Sequence, residues 1–285
     1  MKQIYILLIA LLMGLSANAE KSGTCGPNLK WHLTDDGVLT ISGKGEMYDY
    51  SYDNRAPWGD SREKVKQIII GDDATTIGED AFRDCSNLTS VTIPNSVTTI
   101  GEEAFSLCSA LTSVTIGNSV TTIGGLAFEG CSSLTSVTIP NSVTRIGSEA
   151  FSDCTNLQKV NIGNSVKTIG EFAFNKCTNI TQISSEAVVP PTCESGVFTD
   201  INKSKCKLIV PKNSLDAYKQ AYQWEDFSLI EGSTTGITNT VYNKAGLADV
   251  YTIDGTKRLS KASTDEINAL PKGVYIVNGK KIIIK

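Results

Sequence analysis

Histidine is almost absent from this chain, with a single residue, His32, among 285. A catalytic site of the Ser-His-Asp or Cys-His kind would have to be built around that one imidazole. His32 lies in an alternating segment and is predicted to be an ordinary strand residue at the surface. The sequence also lacks a phosphate-binding glycine loop, a zinc-binding helix motif and any Cys-x-x-Cys pair. We therefore expect no catalytic site, no cofactor and no metal site.

Basic residues are outnumbered by acidic ones, with 26 Lys and Arg against 30 Asp and Glu. This balance disfavours nucleic acid and anionic lipid as partners. Paired carboxylates such as Asp35-Asp36 and Glu102-Glu103 fall on turns or exposed corners, where charge is usually only solvated. The outward strand positions carry no carboxylate cluster of the kind that polysaccharide-cleaving solenoids need. The sequence thus predicts a protein that is not an enzyme.

Long apolar runs are limited to the N-terminus, where nearly all residues from Ile4 to Leu15 are apolar. Lys2 precedes this run and Ala17-Asn18-Ala19 follows it, which is typical of a cleavable secretory signal over residues 1–19. The run is too short to span a bilayer, and no other segment is apolar enough to do so. We expect an exported protein that is not inserted into a membrane. Loss of Lys2 changes the net charge from −4 to −5.

The middle of the chain contains a repeat with a fixed period of 23 residues. Such a period indicates a solenoid, in which each repeat is one coil and packs on its neighbours. Burying a large apolar side chain is worth about 1.5–3 kcal/mol, whereas ordering 23 backbone units costs about 25–45 kcal/mol. A single repeat therefore cannot fold alone. The recurring residues are Ile77, Ile100, Ile123, Ile146 and Ile169; Phe82, Phe105, Phe128, Phe151 and Phe174; and Cys85, Cys108, Cys131, Cys154 and Cys177.

Each repeat opens with a short segment of alternating apolar and hydroxyl residues, as in Leu88-Thr-Ser-Val91-Thr-Ile93. This pattern predicts a strand, and stacked coils would place such strands about 4.8 Å apart in a parallel sheet. The polar positions would point outward and form a candidate binding face. Its residues are Ser90, Thr92, Ser113, Thr115, Ser136, Thr138, Lys159 and Asn161.

The second half of each repeat reads Ile-Gly-x-x-Ala-Phe-x-x-Cys. The Ala-Phe-x-x-Cys stretch is predicted to be a single helical turn opposite the sheet. The glycine marks a corner at which a side chain would be crowded or φ would be positive. Leu126 and Phe172 replace polar residues in this half of the repeat and are candidate binding anchors. The alternative is neutral drift within a redundant array.

Eight cysteines in an exported chain invite a disulfide interpretation. Five of them follow the repeat and would form one inward ladder. Coils about 4.8 Å apart hold parallel Cβ atoms beyond the mean disulfide separation of about 3.8 Å, so these five are predicted to be buried free thiols. Cys193 and Cys206 lie outside the ladder and could pair or remain free. Cys25 has no obvious partner.

Because five consecutive repeats keep the Ile-Gly-x-x-Ala-Phe-x-x-Cys pattern, the chain resembles the BspA-like, or treponemal-type, leucine-rich repeats of bacterial surface proteins over roughly residues 20–232. The resemblance implies a leucine-rich repeat solenoid, rich in β-structure, with a parallel strand ladder and short helical turns. It also implies adhesion to extracellular matrix components or coaggregation. Ser96 occupies the position of the usual ladder Asn or Cys, so we expect a less regular solenoid.

The ends of the repeat are predicted to be capped, since an open sheet edge invites aggregation. Residues 20–64 are expected to form an N-terminal capping hairpin around Asp36-Gly37, residues 65–183 the repeats and residues 184–231 a C-terminal cap. That cap would contain a short helix over 214–222, with Asn213 or Ser214 as N-cap. Its aromatic residues would either cover the last coil or form a sugar-stacking platform; they are Tyr218, Tyr222, Trp224 and Phe227.

Residues 232–248 are predicted to be a linker and residues 249–285 a small β-sandwich-like domain. The domain contains Leu270-Pro271-x-Gly273-Val274-Tyr275-Ile276-Val277 and a lysine-rich final strand over 279–285. In these features it resembles the type A C-terminal sorting domain of the type IX secretion system. The resemblance implies routing across the outer membrane of a Gram-negative bacterium, often followed by removal of the domain. The alternative is an accessory β-domain.

These observations favour a secreted or cell-surface recognition protein that binds extracellular or host protein in an adhesin-like manner. A glycan-binding capture module and a structural surface spacer remain as alternatives. Aromatic platforms would favour the glycan-binding module, and the predicted strand positions contain none. The secretion and sorting machinery would be further partners, through the two termini.

Overall fold

The structure is a computed structural model that describes residues 21–233, 248–252, 256–263, 266–267, 270, 273–277 and 280–284. The predicted signal segment 1–19 and most of the predicted linker lie outside the described residues. The chain divides into two units, Met1–Gly232 and Ser233–Lys285, and each is described by itself. Within the described part, no helix has the length and apolar character needed to cross a membrane.

The first unit opens with the predicted antiparallel hairpin. Strand β2 (Leu29–Leu33) pairs with β3 (Val38–Gly43) and also with β1 (Lys21–Thr24). Gly37 supplies the turn with a φ of 94°, as expected for Asp-Gly between strands. A 3-10 helix over Gly59–Lys64 follows before the repeats begin. The hairpin predicted around Asp36-Gly37 is therefore present, and its strand β3 pairs in parallel with the strand over Gln67–Ile70.

The repeats build a parallel-strand solenoid of about seven coils with little helix, which confirms the predicted fold class. Each coil contributes two strands, one to each of two ladders. Even-numbered strands form the ladder whose outward side we call the strand face, and odd-numbered strands form the second ladder. In chain order they are β4 (Gln67–Ile70), β5 (Thr76–Ile77), β6 (Ser90–Thr92), β7 (Thr99–Ile100), β8 (Ser113–Thr115), β9 (Thr122–Ile123), β10 (Ser136–Ile139), β11 (Arg145–Ile146), β12 (Lys159–Ile162), β13 (Thr168–Ile169), β14 (Gln182–Ser185), β15 (Thr192–Cys193) and β16 (Lys207–Pro211).

A third ladder replaces the predicted helical turn, and that prediction is wrong. The Ala-Phe-x-x-Cys segments are consecutive turns. Alternate amides bond to the next coil, as where the Phe105 amide donates to the Ala127 carbonyl at 2.8 Å. A helical turn would direct those amides along its own axis instead. Left-handed backbone, as at Glu103 (φ 52°) and Leu107 (φ 59°), supplies the alternation.

The core is a column of stacked phenylalanines at the centre of the coils. Ring centroids from Phe82 to Phe174 are 5.2–5.4 Å apart, and all these rings are buried. Trp58 extends the stack at the N-terminal end at 5.5 Å from Phe82, and its Nε1 donates to the Ala81 carbonyl at 2.8 Å. One continuous apolar column therefore joins the cap to the repeats.

The corner glycines are required by crowding alone. A side chain at Gly147 would place its Cβ 2.4 Å from the Gly125 nitrogen of the preceding coil. The corner glycines of the repeat are absent from the positions with positive φ. Of the two predicted reasons, close approach of neighbouring backbones is the one that applies.

The buried cysteines confirm the thiol ladder. All eight cysteines are free and buried, including Cys25, Cys193 and Cys206, so the possible pairing of the last two does not occur. From Cys108 onward each ladder thiol donates to a phenylalanine carbonyl of the preceding coil, as from Cys131 to Phe105 at 3.3 Å. Burial raises the pKa of the Cys131 thiol to about 12. These thiols fill space and add a second hydrogen bond to a carbonyl that already accepts a backbone amide, as Phe105 does from Cys108 at 3.3 Å.

The C-terminal cap differs from its prediction in detail. The helix is shorter than expected: a 3-10 helix over Lys212–Ser214 leads into α1 (Leu215–Tyr218). Ser214 makes no capping bond, and its buried hydroxyl has no partner among the described residues. Strand β17 (Leu229–Ser233) lies beside β16 at the end of the same sheet.

The second unit contains one antiparallel sheet. Its strands, in the order β19-β18-β20-β21, are β18 (Ala248–Thr252), β19 (Lys257–Ala262), β20 (Gly273–Val277) and β21 (Lys280–Ile284). Val250, Tyr275 and Val277 are buried in its small core. The predicted small β-domain is present, but its described residues form a single four-stranded sheet and not the two facing sheets of the predicted sandwich.

Candidate functional site

The strand face brings all eight predicted binding-face residues to the surface. Each of them is exposed. Pairing is in register where coils join, so that Ser90 faces Ser113 and Ser136 faces Lys159. The result is two parallel columns. The first contains Ser90, Ser113, Ser136 and Lys159, and the second contains Thr92, Thr115, Thr138 and Asn161.

Alternation within each strand fixes which residues point outward. Val91, Val137 and Val160 lie between the column residues and are buried, with 4%, 2% and 1% of their surface exposed. Because successive strand side chains point to opposite sides, burial of the valine forces its polar neighbours outward. The core thus holds the columns in position.

The strand face is divided by two seams at which neighbouring strands do not pair. One seam separates β4 from β6, and the other separates β8 from β10. At the second seam, the bond from the Ile93 amide to the Thr115 carbonyl (2.8 Å) has no counterpart from Ile116 to Thr138 among the described residues. The predicted irregularity of the solenoid takes this form.

Both seams precede a coil whose outer strand is followed by proline. Pro94 follows β6 and Pro140 follows β10. At the equivalent position two coils further on, the Glu186 amide donates to the Ile162 carbonyl at 2.9 Å. Proline has no N–H and cannot make this bond. Gly117 and Gly163 also make no such bond among the described residues, although β8 pairs with β6 and β12 with β10. Proline therefore marks the coils that follow the seams but does not by itself break the pairing.

The second seam opens into a cleft of about 290 Å³. Four column residues line it, with an apolar floor between them. Val114, in the middle of β8, is only partly buried, unlike its counterparts in β6 and β10. The seam thus makes aliphatic surface accessible on an otherwise hydroxyl-rich face. The lining includes Ser113, Thr115, Ser136, Thr138, Val114 and Ile116.

The two predicted anchors are not part of the strand face. Leu126 and Phe172 lie on the third ladder, each with left-handed backbone at a φ of 54°. Leu126 is half-buried, contrary to the expectation of an exposed side chain, whereas Phe172 is 38% exposed. Along the chain, each residue comes after the second-ladder strand of its coil. The structure therefore does not bring the anchors together with the columns of the strand face.

Phe172 is accommodated by a glycine in the following coil. A side chain at Gly196 would place its Cβ 2.4 Å from Phe172 Cε1, and a side chain at Gly130 would meet Leu107 Cδ2 at 2.7 Å. A large apolar residue therefore lies over a glycine in both places. This packing gives Phe172 a structural role that sequence reasoning missed.

The aromatic residues of the C-terminal cap cover the last coil. Tyr218, Trp224 and Phe227 are buried, and Trp224 meets the Phe198 ring at 4.9 Å. Tyr222 is 63% exposed, so its predicted packing on the last coil is wrong. With the other three rings buried, the cap does not present the four-ring platform that sugar stacking would use.

Charged groups concentrate on the third ladder. Arg83 pairs with Glu103 and with Asp80. Burial raises the pKa of Glu103, although Arg83 opposes this rise. Burial also raises the pKa of Glu79, reinforced by Asp49 and Glu102. His32 is half-exposed on β2, and the described residues contain no cluster of three metal-ligating side chains.

Comparison with known proteins bears on this architecture. The family model described as BspA type leucine rich repeat region, in six copies, matches residues 61–181 and 149–263. Among curated proteins, none matches this sequence.

Solved structures with similar coils come from several bacteria. A leucine-rich repeat protein of Eubacterium ventriosum is 25% identical, with a TM-score of 0.56, over 69% of this chain and 67% of that one. A leucine rich cell surface protein of Faecalibacterium prausnitzii is 26% identical, with a TM-score of 0.39, over 62% and 57%. The T. pallidum leucine rich repeat protein is 28% identical, with a TM-score of 0.40, over 57% and 71%. The chain belongs to the BspA-type leucine-rich repeat family.

Proposed function

We propose that this protein is a non-enzymatic surface protein that binds extracellular or host protein through its strand face, in an adhesin-like manner. The register of the two exposed columns carries the proposal. Side chains that repeat at strand spacing on a rigid core form many weak contacts with a partner, and shape complementarity makes them specific. The family, and the neighbour described as a cell surface protein, support a surface location.

Protein is favoured over glycan as the partner because of what the columns contain. Their residues are Ser, Thr, Lys and Asn, which donate and accept hydrogen bonds but do not stack on sugar rings. The buried aromatics of the C-terminal cap add support, since they are committed to packing.

The proposal is tested with two variants that copy residues already found in neighbouring coils. The face variant combines Ser90→Lys, Ser113→Lys and Ser136→Lys, because Lys159 occupies the same column. The control combines Thr99→Arg and Thr122→Arg, because Arg145 occupies that position of the second ladder. Binding would be measured on immobilised collagen, laminin, mucin and purified glycans at physiological salt.

Saturable binding to a matrix protein that the face variant loses and the control keeps supports the proposal. Binding to glycans alone would replace it with the capture module. Absence of binding across the panel would favour a structural spacer. Unfolding curves of both variants must match the parent, so that loss of binding reports the face.

We propose that the two termini direct export. Residues 1–19 would act as a cleavable signal, and the second unit would act as a type IX sorting domain. N-terminal sequencing of the exported protein should begin at Glu20. Deleting residues 233–285 should abolish surface exposure without unfolding the solenoid, and unchanged exposure would reduce the second unit to an accessory domain.

A further inference from the structure

The cleft at the second seam differs chemically from the rest of the strand face. No charged residue lines it, whereas Lys159 stands in the next coil and Lys207 further along the same column. Partial exposure of Val114 adds an aliphatic floor. A charged ligand would lose its hydration here without gaining a partner. The ligand that fits is uncharged and has an aliphatic group.

The rim of the cleft supplies hydrogen-bonding groups of both kinds. The hydroxyls of Ser113, Thr115, Ser136 and Thr138 each donate and accept. An extended peptide presents alternating backbone donors and acceptors, which can bond to these hydroxyls. A sugar lacks a stacking surface here, since no aromatic residue lines the cleft.

We propose that this cleft anchors an extended, uncharged segment of the protein partner. One aliphatic side chain of that segment lies against Val114 and Ile116, while its backbone bonds to the four rim hydroxyls. The inference rests on the proposed function of the strand face, and it names the part of the face and the class of segment that binds. A central apolar pocket with a polar rim is the usual arrangement of a binding hot spot.

The test uses two synthetic heptapeptides with blocked ends, Ser-Thr-Ser-Leu-Thr-Ser-Thr and the same peptide with Asp in place of Leu. Methyl NMR of the purified protein would follow the Val114 and Ile116 methyl signals, with Val160 as reference because it is buried outside the cleft. The leucine peptide should shift the first two signals and leave Val160 unchanged. The Asp peptide should bind about tenfold more weakly or not at all.

A matched pair of variants locates the effect. Ser136→Lys adds a charge at the rim and copies Lys159, so the coil should still fold. Thr122→Arg copies Arg145 on the second ladder, away from the cleft. Ser136→Lys should weaken the leucine peptide by about tenfold, and Thr122→Arg should leave its affinity unchanged.

Two results would overturn the inference. One is equal binding of the two peptides, and the other is absence of Val114 and Ile116 shifts at saturating leucine peptide. The proposed function is judged separately, by whether the face variant loses binding to the immobilised proteins. A face that binds a matrix protein while its cleft ignores both peptides would leave that function intact and remove only the anchor site.

Discussion

The strand face and the second ladder belong to the same coils but differ in continuity. The second ladder is one unbroken six-stranded sheet from β5 to β15, and the phenylalanine stack runs beside it with spacings of 5.2–5.4 Å through the repeats. The strand face, five or six residues away along the chain, breaks into three sheets. Stability therefore resides in the second ladder and the phenylalanine stack. The strands of the strand face are free to vary in sequence and to open a cleft.

The largest expected effect is the difference in unfolding free energy between substitution of a buried phenylalanine and of an exposed one. Phe128→Ala should lower the free energy of unfolding by about 3–5 kcal/mol, because it leaves a cavity in the fully buried stack. Phe172→Ala should cost about 1 kcal/mol, since Phe172 is 38% exposed. Urea denaturation of each variant measures the difference. Similar losses in the two variants would contradict the conclusion that the buried phenylalanine stack carries the stability.

A corner glycine, Gly147, and a glycine that follows the corner of the preceding coil, Gly125, sharpen the comparison. Gly147→Ala should destabilise by about 1–3 kcal/mol, because its Cβ would lie 2.4 Å from the Gly125 nitrogen. Gly125→Ala should be neutral or stabilise by about 0.5 kcal/mol, because its Cβ would meet only ordinary contacts from 3.4 Å. Thermal unfolding of the two variants measures both signs. Destabilisation by Gly125→Ala would count against the crowding argument.

The thiol ladder predicts that the stability of the repeats decreases at alkaline pH. Burial raises the pKa of the Cys85 and Cys131 thiols from 9.0 to about 12. A raised folded-state pKa means that stability is fully present below pH 9 and is lost as pH rises toward 12. Each such thiol should lower the unfolding free energy by about 1.4 kcal/mol per pH unit in that range.

Denaturation curves between pH 8 and pH 11 would measure this slope. The matched control is Cys131→Ala, which should reduce the slope by the share of one thiol while lowering stability below pH 9, where the thiol is protonated in both states. Rapid alkylation of the folded protein at pH 8 would show instead that the thiols are accessible.

The smallest expected effect concerns the charged third ladder. Burial and the neighbouring Asp49 and Glu102 raise the pKa of Glu79, so its ionisation opposes folding as pH rises through the folded-state value. Glu79→Gln should therefore increase stability at pH 7 by about 0.3 kcal/mol, because exposed charges are screened. The gain should vanish at pH 3. A gain that is equal at both pH values would point to packing rather than charge.

The sequence predicted the buried Ile, Phe and Cys positions of the repeat because their spacing is strictly periodic and their side chains are apolar. It predicted the strand face for the same reason, since alternation around Val91 and Val137 forces their neighbours outward. It did not predict the third ladder, because nothing in the residue types of Leu126 or Phe172 signals left-handed backbone. Such conformations arise from hydrogen bonding between coils, which a single repeat does not show.

The cleft was missed for a related reason. The seam between β8 and β10 is a relation between two coils, and the residues of a single repeat do not show whether the strand of the next coil pairs with its own. Leu126 and Phe172 are predicted as anchors because they replace the polar residues that other repeats have at the same positions. Sequence periodicity identifies which residues share a column but does not show which side of the coil that column covers.

Native-state hydrogen exchange tests most directly whether the second ladder is the stable part of the fold and whether the strand face opens at its seams. Amides of β9 and β11 in the unbroken second ladder should exchange only through global unfolding. Amides of β8 and β10 at the second seam should exchange much faster, through local opening in the same coils. Equal protection in the two ladders would contradict the account, because it would mean that the strand face is as continuous as the core.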